Sequence, residues 1–195
     1  MALAKFKAIA DVKSARGFSI IEVLMATSLM VVGVASLAQL FALSTQRNTS
    51  SKNTTFAAVL AQQKMEQLRS LTWGFDSLGL PTTDTTTDTT VVPEAAGGTG
   101  LSPSPVNSLQ QNVLGYVDYL DAKGNSLGGA AVVPPVTAVY IRRWLIEPLP
   151  TNPNNTIVIQ VLVTRHRNRG VADGGNVTRL PDEARIISVK TRKAT

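Results

Sequence analysis

The chain changes near its start from a short polar stretch to a long apolar one. No charged side chain occurs between Glu22 and Arg47, so residues 23–46 form an uncharged and mostly apolar run. As a helix that rises about 1.5 Å per residue, this run is longer than the roughly 30 Å core of a bilayer. We therefore predict a helix that can span a membrane.

The same helix is predicted to continue beyond the apolar run. The span from Phe18 to about Leu71 contains no proline and a single glycine, Gly33, so nothing in it interrupts a helix. Its second half is amphipathic, and we expect it to lie on a sheet of its own domain; a surface for a partner helix is the alternative. The apolar positions are Ala58, Ala61, Met65, Leu68 and Leu71, and the polar positions between them are Gln62, Gln63, Lys64, Glu66 and Arg69.

Residues 80–105 break this pattern. They are rich in Thr, Pro and Gly, as in the run TTDTTTDTT, and they carry few apolar side chains. Such a segment buries too little surface to order itself, so we predict a flexible or loosely packed surface loop. Asp84 and Asp88 lack the alternating acids and terminal glutamate of a calcium loop, so we predict no calcium site there.

Strand patterns occupy the rest of the chain. Ile157, Ile159, Val161 and Val163 alternate along one strand and share a face, which indicates a half-buried strand. One long helix followed by four strands predicts an α+β fold, with the helix packed on a small antiparallel sheet. The predicted strands are residues 113–120, 137–147, 155–167 and 185–193, the last of which places Ile187 and Val189 on one face.

Length and composition limit what the chain can be. At 195 residues it has room for one anchor helix and one small domain, and without cysteine it can form neither a disulfide nor a thiolate metal site. His166 is the only histidine and has no acidic cluster in sequence reach, so we predict neither an enzyme nor a bound cofactor. The formal net charge of +6 is a mild excess that does not by itself imply nucleic-acid binding.

The start of the apolar run carries the most specific motif. A basic residue, Arg16, is followed by Gly17, Phe18, a small polar residue, two isoleucines and Glu22. This order resembles the class III signal of type IV pilins and of type II secretion pseudopilins. The resemblance implies that a membrane-embedded prepilin peptidase cuts between Gly17 and Phe18 on the cytoplasmic side and methylates the new amine of Phe18.

The resemblance also implies a division of the chain and a set of partners. Residues 1–17 would be a removed leader, 18–46 the transmembrane or filament-core helix, 47–72 its amphipathic half, 73–112 a Thr/Pro/Gly-rich loop region and 113–195 the sheet domain. The implied partners are the peptidase, other pilin or pseudopilin subunits, an inner-membrane assembly platform and, before assembly, membrane lipid. The absence of cysteine, the run AQQKMEQLR and a strand containing Trp are most similar to PilV-type minor pilins and I-type minor pseudopilins.

Glu22 calls for a physical role, because a carboxylate in hydrocarbon is costly and such residues usually have a partner. A positive amine freed at Phe18 would enter an apolar bundle when a subunit joins a filament, and an opposite charge would offset its cost. We predict that Glu22, of the same or a neighbouring subunit, is that partner in assembly.

Several function classes remain open at this point. The expected function is that of a minor type IV pilin-like subunit, with a type II secretion pseudopilin, a DNA-binding competence pilin and a plain signal anchor as alternatives. The basic leader predicts a single-pass inner-membrane protein with a cytoplasmic N-terminus and an external C-terminal domain, later part of a pilus or pseudopilus. A solvated surface is favoured over a DNA site for the basic residues Arg142, Arg143, Arg165, Arg167, Arg169 and Arg179.

Overall fold

The computed structural model describes residues 17–166 and 183–193. Helix α1 runs without interruption from Ile20 to Ser70, which confirms the predicted long helix to within two residues. The Ser19 carbonyl accepts hydrogen bonds from the amides of Glu22 (3.0 Å) and Val23 (3.2 Å), so Ser19 caps the first turn. The chain divides into two compact units between Gln46 and Arg47, and α1 contributes residues to both.

Within the described residues, eight strands follow α1. Four of them lie side by side in chain order and are antiparallel throughout: β5 (Val117–Leu120), β6 (Tyr140–Pro148), β7 (Thr156–Arg165) and β8 (Ala184–Thr191). Two short ladders precede them, one pairing β1 (Trp73–Phe75) with β2 (Pro81–Thr83), the other pairing β3 (Thr87–Asp88) with β4 (Ala95–Ala96). The predicted α+β class and the four-stranded antiparallel sheet are therefore confirmed.

The four predicted strands differ from the observed ones mainly at their ends. The first begins only at Val117, because the amide of Tyr116 donates to the carbonyl of Val113 and makes residues 113–116 a turn. On β8, Ile187 and Val189 do share a face, but they are 58% and 57% exposed, and Ala184 and Ile186 turn toward the core instead.

The second half of α1 packs on one face of the four-stranded sheet, as predicted. The amphipathic stripe of α1 and the inward residues of β5, β6 and β7 form a single buried cluster, because each alone would leave an apolar face in water. The ring of Phe56 lies 5.5 Å from that of Tyr140 between centroids. The helix contributes Ala57, Leu60, Ala61, Met65, Leu68 and Leu71, and the sheet contributes Tyr140, Trp144, Ile146, Ile157, Ile159, Val161 and Val163.

The prediction of a loose loop over residues 80–105 is wrong. The segment carries β2, β3 and β4 and buries Thr89, Thr90 and Leu101 to 5% exposure or less. The carboxylates of Asp84 and Asp88 order this segment by accepting hydrogen bonds from it. Asp84 Oδ1 accepts hydrogen bonds from the amides of Thr86 and Thr87, both at 3.0 Å. The Thr87 hydroxyl donates to Asp84 Oδ2 at 2.7 Å, and this bond, with the two amides, lowers the pKa of Asp84.

One glycine fixes the path of the chain beside β5. A Cβ added at Gly129 would lie 2.0 Å from the carbonyl oxygen of Val117 and 2.7 Å from Cβ of Thr90. The neighbouring Gly128 carbonyl accepts the amide of Tyr119 at 3.0 Å, so residues 126–129 run alongside the outer edge of β5. Only glycine lets the two backbones approach so closely.

We predict that Gly129→Ala lowers the free energy of unfolding by about 1–3 kcal/mol, because a backbone carbonyl must move to admit the methyl group. Gly74→Ala is the matched control, since its Cβ would meet no atom closer than 3.9 Å. Urea unfolding of the full chain in detergent micelles, followed by the fluorescence of its two tryptophans, measures both variants. Equal stability of the two variants would contradict the packing argument.

Candidate functional site

The predicted processing site lies at the exposed start of α1. Gly17, Phe18 and Ser19 precede the helix and are all exposed, with Phe18 82% accessible. The bond between Gly17 and Phe18 is therefore exposed and lies outside the hydrogen-bonded helix. Arg16 and the residues before it lie outside the described residues.

Gly17 has no packing reason to be glycine in the described part of the chain. A Cβ added there would meet nothing within 4 Å, and its φ is not in the left-handed region. The fold would accept a larger side chain at this position.

Glu22 lies in the first turn of α1 and is exposed. A carboxylate there is favoured by the unpaired amides and the positive end of the helix dipole. It is also four residues, or about one helical turn, beyond Phe18 in sequence, which is the order that the predicted pairing needs. The structure brings Gly17, Phe18 and Glu22 together within one exposed segment of α1 and its N-terminal flank.

The first half of α1 has the properties of a segment made for an apolar environment. No residue in its most apolar stretch is buried, and α1 is long and apolar enough to cross a membrane. The hydroxyls of Thr27, Ser28 and Ser36 donate to helix carbonyls three or four residues earlier, at 2.8–3.0 Å. They can therefore enter hydrocarbon without leaving an unsatisfied donor.

The sequence analysis missed a cluster of three buried charges, which we name the charge cluster: Lys64, Asp118 and Arg142. Arg142 forms a bidentate ion pair with Asp118. Its Nε donates a hydrogen bond to Oδ1 at 2.8 Å and its Nη2 donates one to Oδ2 at 2.7 Å. The Lys64 ammonium lies 2.8 Å from the same Oδ2. The side chains are at most 3% exposed, so two positive charges share one buried negative charge.

Polar groups around the charge cluster accept further hydrogen bonds from Lys64 and Arg142. Lys64 Nζ donates to Gln67 Oε1 at 2.7 Å and to the carbonyl of Thr89 at 2.5 Å, and it lies 4.4 Å above the ring centroid of Trp144. Arg142 Nη1 donates to the carbonyl of Leu60 at 3.1 Å. The cluster thus joins α1, β5, β6 and the loop that carries Thr89.

Lys64 was predicted on the polar side of α1, and that prediction is wrong. It follows Leu60 by four residues and precedes Leu68 by four, so it belongs to the apolar stripe and is fully buried. This spacing was the available signal, together with an acid inside the apolar segment YVDYL, whose last four residues form β5. Burial, with the neighbouring Arg142 charge, lowers the pKa of Lys64 to about 8, although Asp118 raises it.

The basic residues considered for DNA binding do not form one surface. Arg142 is buried in the charge cluster, and Arg143 is partly buried, with Nε donating to Asn112 Oδ1 at 2.8 Å. Of that set only Arg165 is exposed in the described part of the chain, because Arg167, Arg169 and Arg179 lie outside it. The structure therefore removes Arg142 from any DNA-binding surface.

The remaining candidates for chemistry are Asp84, Asp88 and His166. Oxygen atoms of Asp84 and Asp88 accept hydrogen bonds from their own loop, including the Thr90 hydroxyl on Asp88 Oδ1 at 2.7 Å. Within residues 17–166 and 183–193, no three His, Asp or Glu side chains are grouped so that they could hold a metal ion. His166 is the last described residue after β7.

No protein-family model, curated protein or solved structure matches the chain. The long apolar helix on a small antiparallel sheet is compatible with a pilin-like architecture. The motif at Gly17, Phe18 and Glu22 and the geometry described above therefore carry the functional argument.

We predict that Asp118→Asn lowers the free energy of unfolding by about 3–5 kcal/mol, because it leaves Lys64 and Arg142 buried without an anion. Lys64→Met is the matched variant and should cost clearly less, since the bidentate Arg142–Asp118 pair survives and a desolvated charge is removed. Chemical unfolding of the full chain in micelles ranks the two. A larger loss for Lys64→Met would refute the view that Asp118 holds the cluster together.

We also predict that the protein becomes more stable at alkaline pH because the buried Lys64 loses its proton. Between its folded pKa of about 8 and the ordinary value of 10.5, the unfolded chain binds the proton and the folded chain does not. The free energy of unfolding therefore rises as pH rises through this window, by about 3 kcal/mol in total. The stability difference between wild type and Lys64→Met should grow by this amount from pH 8 to pH 10.5, and a flat difference would refute it.

Proposed function

We propose that the chain is a structural subunit of the type IV pilin-like class, most similar to a minor pilin, which is clipped between Gly17 and Phe18 and then packed into a pilus. One observation carries the proposal: an apolar half-helix with no buried residue begins at Ile20, two residues after an exposed Gly–Phe bond. A minor pseudopilin of a type II secretion system is the second candidate, because the same signal serves both assemblies.

The exposed half-helix supports the proposal because it cannot remain in water. Large apolar side chains from Phe18 to Leu43 are 51–82% exposed. Covering such side chains contributes about 25 cal/mol for each Å² of apolar surface removed from water. A bilayer covers them before assembly, and the helices of neighbouring subunits cover them in a filament.

Electrostatics at the helix start support the same proposal. Cleavage after Gly17 creates a positive amine on Phe18 at the edge of this apolar segment. Within the described residues, Glu22 is the only charged side chain before Arg47. Pairing the amine with a Glu22 carboxylate therefore removes both charges from contact with hydrocarbon.

The proposal also assigns the chain a place and a role. The basic leader holds the N-terminus in the cytoplasm, α1 crosses the inner membrane, and the sheet domain lies outside it. The chain is then a substrate of the prepilin peptidase and a partner of other subunits, and it performs no catalysis itself. A plain signal anchor would use the same helix but would not be cut.

We predict that Gly17→Val abolishes peptidase-dependent shortening of the chain, because the peptidase must accommodate the backbone at this position. Gly33→Val is the matched control, since a Cβ at either glycine meets nothing within 4 Å in the described structure. Intact mass after co-expression with a prepilin peptidase measures both variants. A shortened Gly17→Val chain would count against the proposal.

We predict that Glu22→Ala is still cut but enters filaments at least tenfold less than wild type, a loss of about 1.4 kcal/mol or more in assembly. The physical reason is that the Phe18 amine then enters the apolar bundle unpaired. Glu66→Ala is the control, because Glu66 is an exposed acid of the same helix. The measurement is the amount of each processed variant in filaments sheared from cells. Normal incorporation of Glu22→Ala would rule out the pairing between Glu22 and the Phe18 amine.

A further inference from the structure

A pocket of about 540 Å³ borders the charge cluster, between the second half of α1 and the loop that joins β3 to β4. We name it the Gln–Arg pocket. Arg142 is the one buried residue in its lining and forms its floor, whereas the other lining residues are exposed or half-buried. The lining residues are Gln63, Gln67, Val92, Pro93, Glu94 and Arg142.

The charge cluster has an excess of one positive charge. Lys64 and Arg142 both pair with Asp118, so two cations share a single carboxylate. Glu94 is the only acid in the pocket lining, but it is exposed and forms no ion pair within the described residues. A buried charge without a counter-charge is costly, and an anion in the adjacent pocket would offset this cost.

Two glutamines of α1 direct their side-chain oxygens toward the buried cations. Gln67 Oε1 accepts a hydrogen bond from Lys64 Nζ at 2.7 Å, and Gln63 Oε1 accepts a long one from Arg142 Nη1 at 3.5 Å. The amide nitrogen of each glutamine lies on the other branch of the side chain, and in the described part of the chain neither nitrogen has an acceptor. Two amide groups with free donors and one guanidinium therefore border the same pocket.

The surroundings of the charge cluster contain more hydrogen-bond donors than acceptors. Nε and Nη2 of Arg142 each donate one bond to Asp118, which leaves the second hydrogen of Nη2 without an acceptor among residues 17–166 and 183–193. Thr89 and Trp144 both contact the Lys64 ammonium, and the Thr89 hydroxyl and Trp144 Nε1 are buried without a partner in the same residues. An excess of donors and an excess of positive charge both favour an anion with several acceptor sites.

A carboxylate matches the donors of the Gln–Arg pocket. Its two oxygens can accept hydrogen bonds from a guanidinium and from amides at the same time, and such charge-assisted bonds are roughly twice as strong as neutral ones. Val92, which is 64% exposed, and Pro93 give the rim an apolar side. A carboxylate attached to a small apolar group would use both parts of the lining.

We propose that the Gln–Arg pocket binds a small carboxylate. The carboxylate faces Arg142 and the two glutamine amides, and its apolar group lies against Val92 and Pro93. A free organic acid and the C-terminus of a peptide share this chemistry. The lining contains no residue of the first half of α1, so the site does not depend on the proposed function.

Isobutyrate is a suitable probe, because it combines one carboxylate with one small branched apolar group. It is titrated into the isotope-labelled full-length protein in micelles of a nonionic detergent. At about pH 6.5 the probe is ionised and Lys64, with a folded pKa of about 8, keeps its proton. Chemical-shift changes of the side-chain amides of Gln63 and Gln67 give the dissociation constant.

We expect isobutyrate to bind about tenfold more tightly than isobutyramide, its neutral analogue of the same shape, which is a difference of about 1.4 kcal/mol. Sodium chloride at equal ionic strength is the reference for screening of the surface charges. Equal affinities for the acid and the amide would overturn the proposal, because the pocket would then not recognise the charge.

A substitution that fills the pocket tests its location. Gln63→Glu places a carboxylate beside Arg142 and should weaken isobutyrate binding about tenfold, as followed through the Gln67 amide. Gln62→Glu is the matched control, since it adds the same charge to the same turn of α1 at an exposed position outside the lining. It should change the dissociation constant less than about twofold, because an exposed charge is screened. Equal effects of the two substitutions would overturn the assignment to this pocket.

A second probe distinguishes the two sources of the carboxylate. N-acetyl-glycyl-valine ends in a carboxylate beside a branched apolar side chain, as a peptide C-terminus does. Tighter binding of this dipeptide than of isobutyrate supports a peptide as the ligand, whereas weaker or equal binding supports a free organic acid. Binding of neither probe above the level of isobutyramide would overturn the site.

Discussion

The sheet domain depends on the burial of three charges at one junction. Asp118 on β5 is held between Lys64 of α1 and Arg142 of β6, and all three are shielded from water. An ion pair in such a place contributes less to net stability than its Coulomb energy implies, because desolvation is costly. The charge cluster nevertheless requires one alignment of α1 on the sheet, since a shift of α1 along the sheet would leave one of these charges unpaired. The charge cluster therefore sets the position of the helix on the sheet.

The same constraint explains how the Thr-rich segment becomes ordered. The carbonyl of Thr89 accepts a bond from Lys64, so the loop supplies part of the polar environment that a buried ammonium needs. Asp84 and Asp88 then fold the loop around their own carboxylates. The helix, the sheet and the loop thus share one polar centre inside an apolar core, and each element requires the other two.

Sequence reasoning predicted the elements whose signal is periodic. The long helix, the four strands and the buried face of β7 follow from apolar spacing, because burial of a regular face repeats along the chain. The order in residues 80–105 could not be predicted in this way, since it comes from hydrogen bonds of Asp84 and Asp88 and from a distant lysine. The spacing that puts Lys64 on the apolar stripe can be read from the sequence, but the other two members of the charge cluster, Asp118 and Arg142, lie 54 and 78 residues away. At the helix start, the residues Gly17, Phe18 and Glu22 were predicted from the motif, and the structure adds that their segment is exposed and unpacked.

The contrast between the two halves of α1 is the central point for function. The second half is covered by its own sheet, whereas the first half exposes every large apolar side chain and needs a cover from outside the chain. The most direct test is the intact mass and N-terminal sequence of the wild-type protein expressed with and without a prepilin peptidase. The account predicts a chain that begins with N-methylated Phe18 only when the peptidase is present. A chain that keeps its residues before Phe18 in both samples would contradict it.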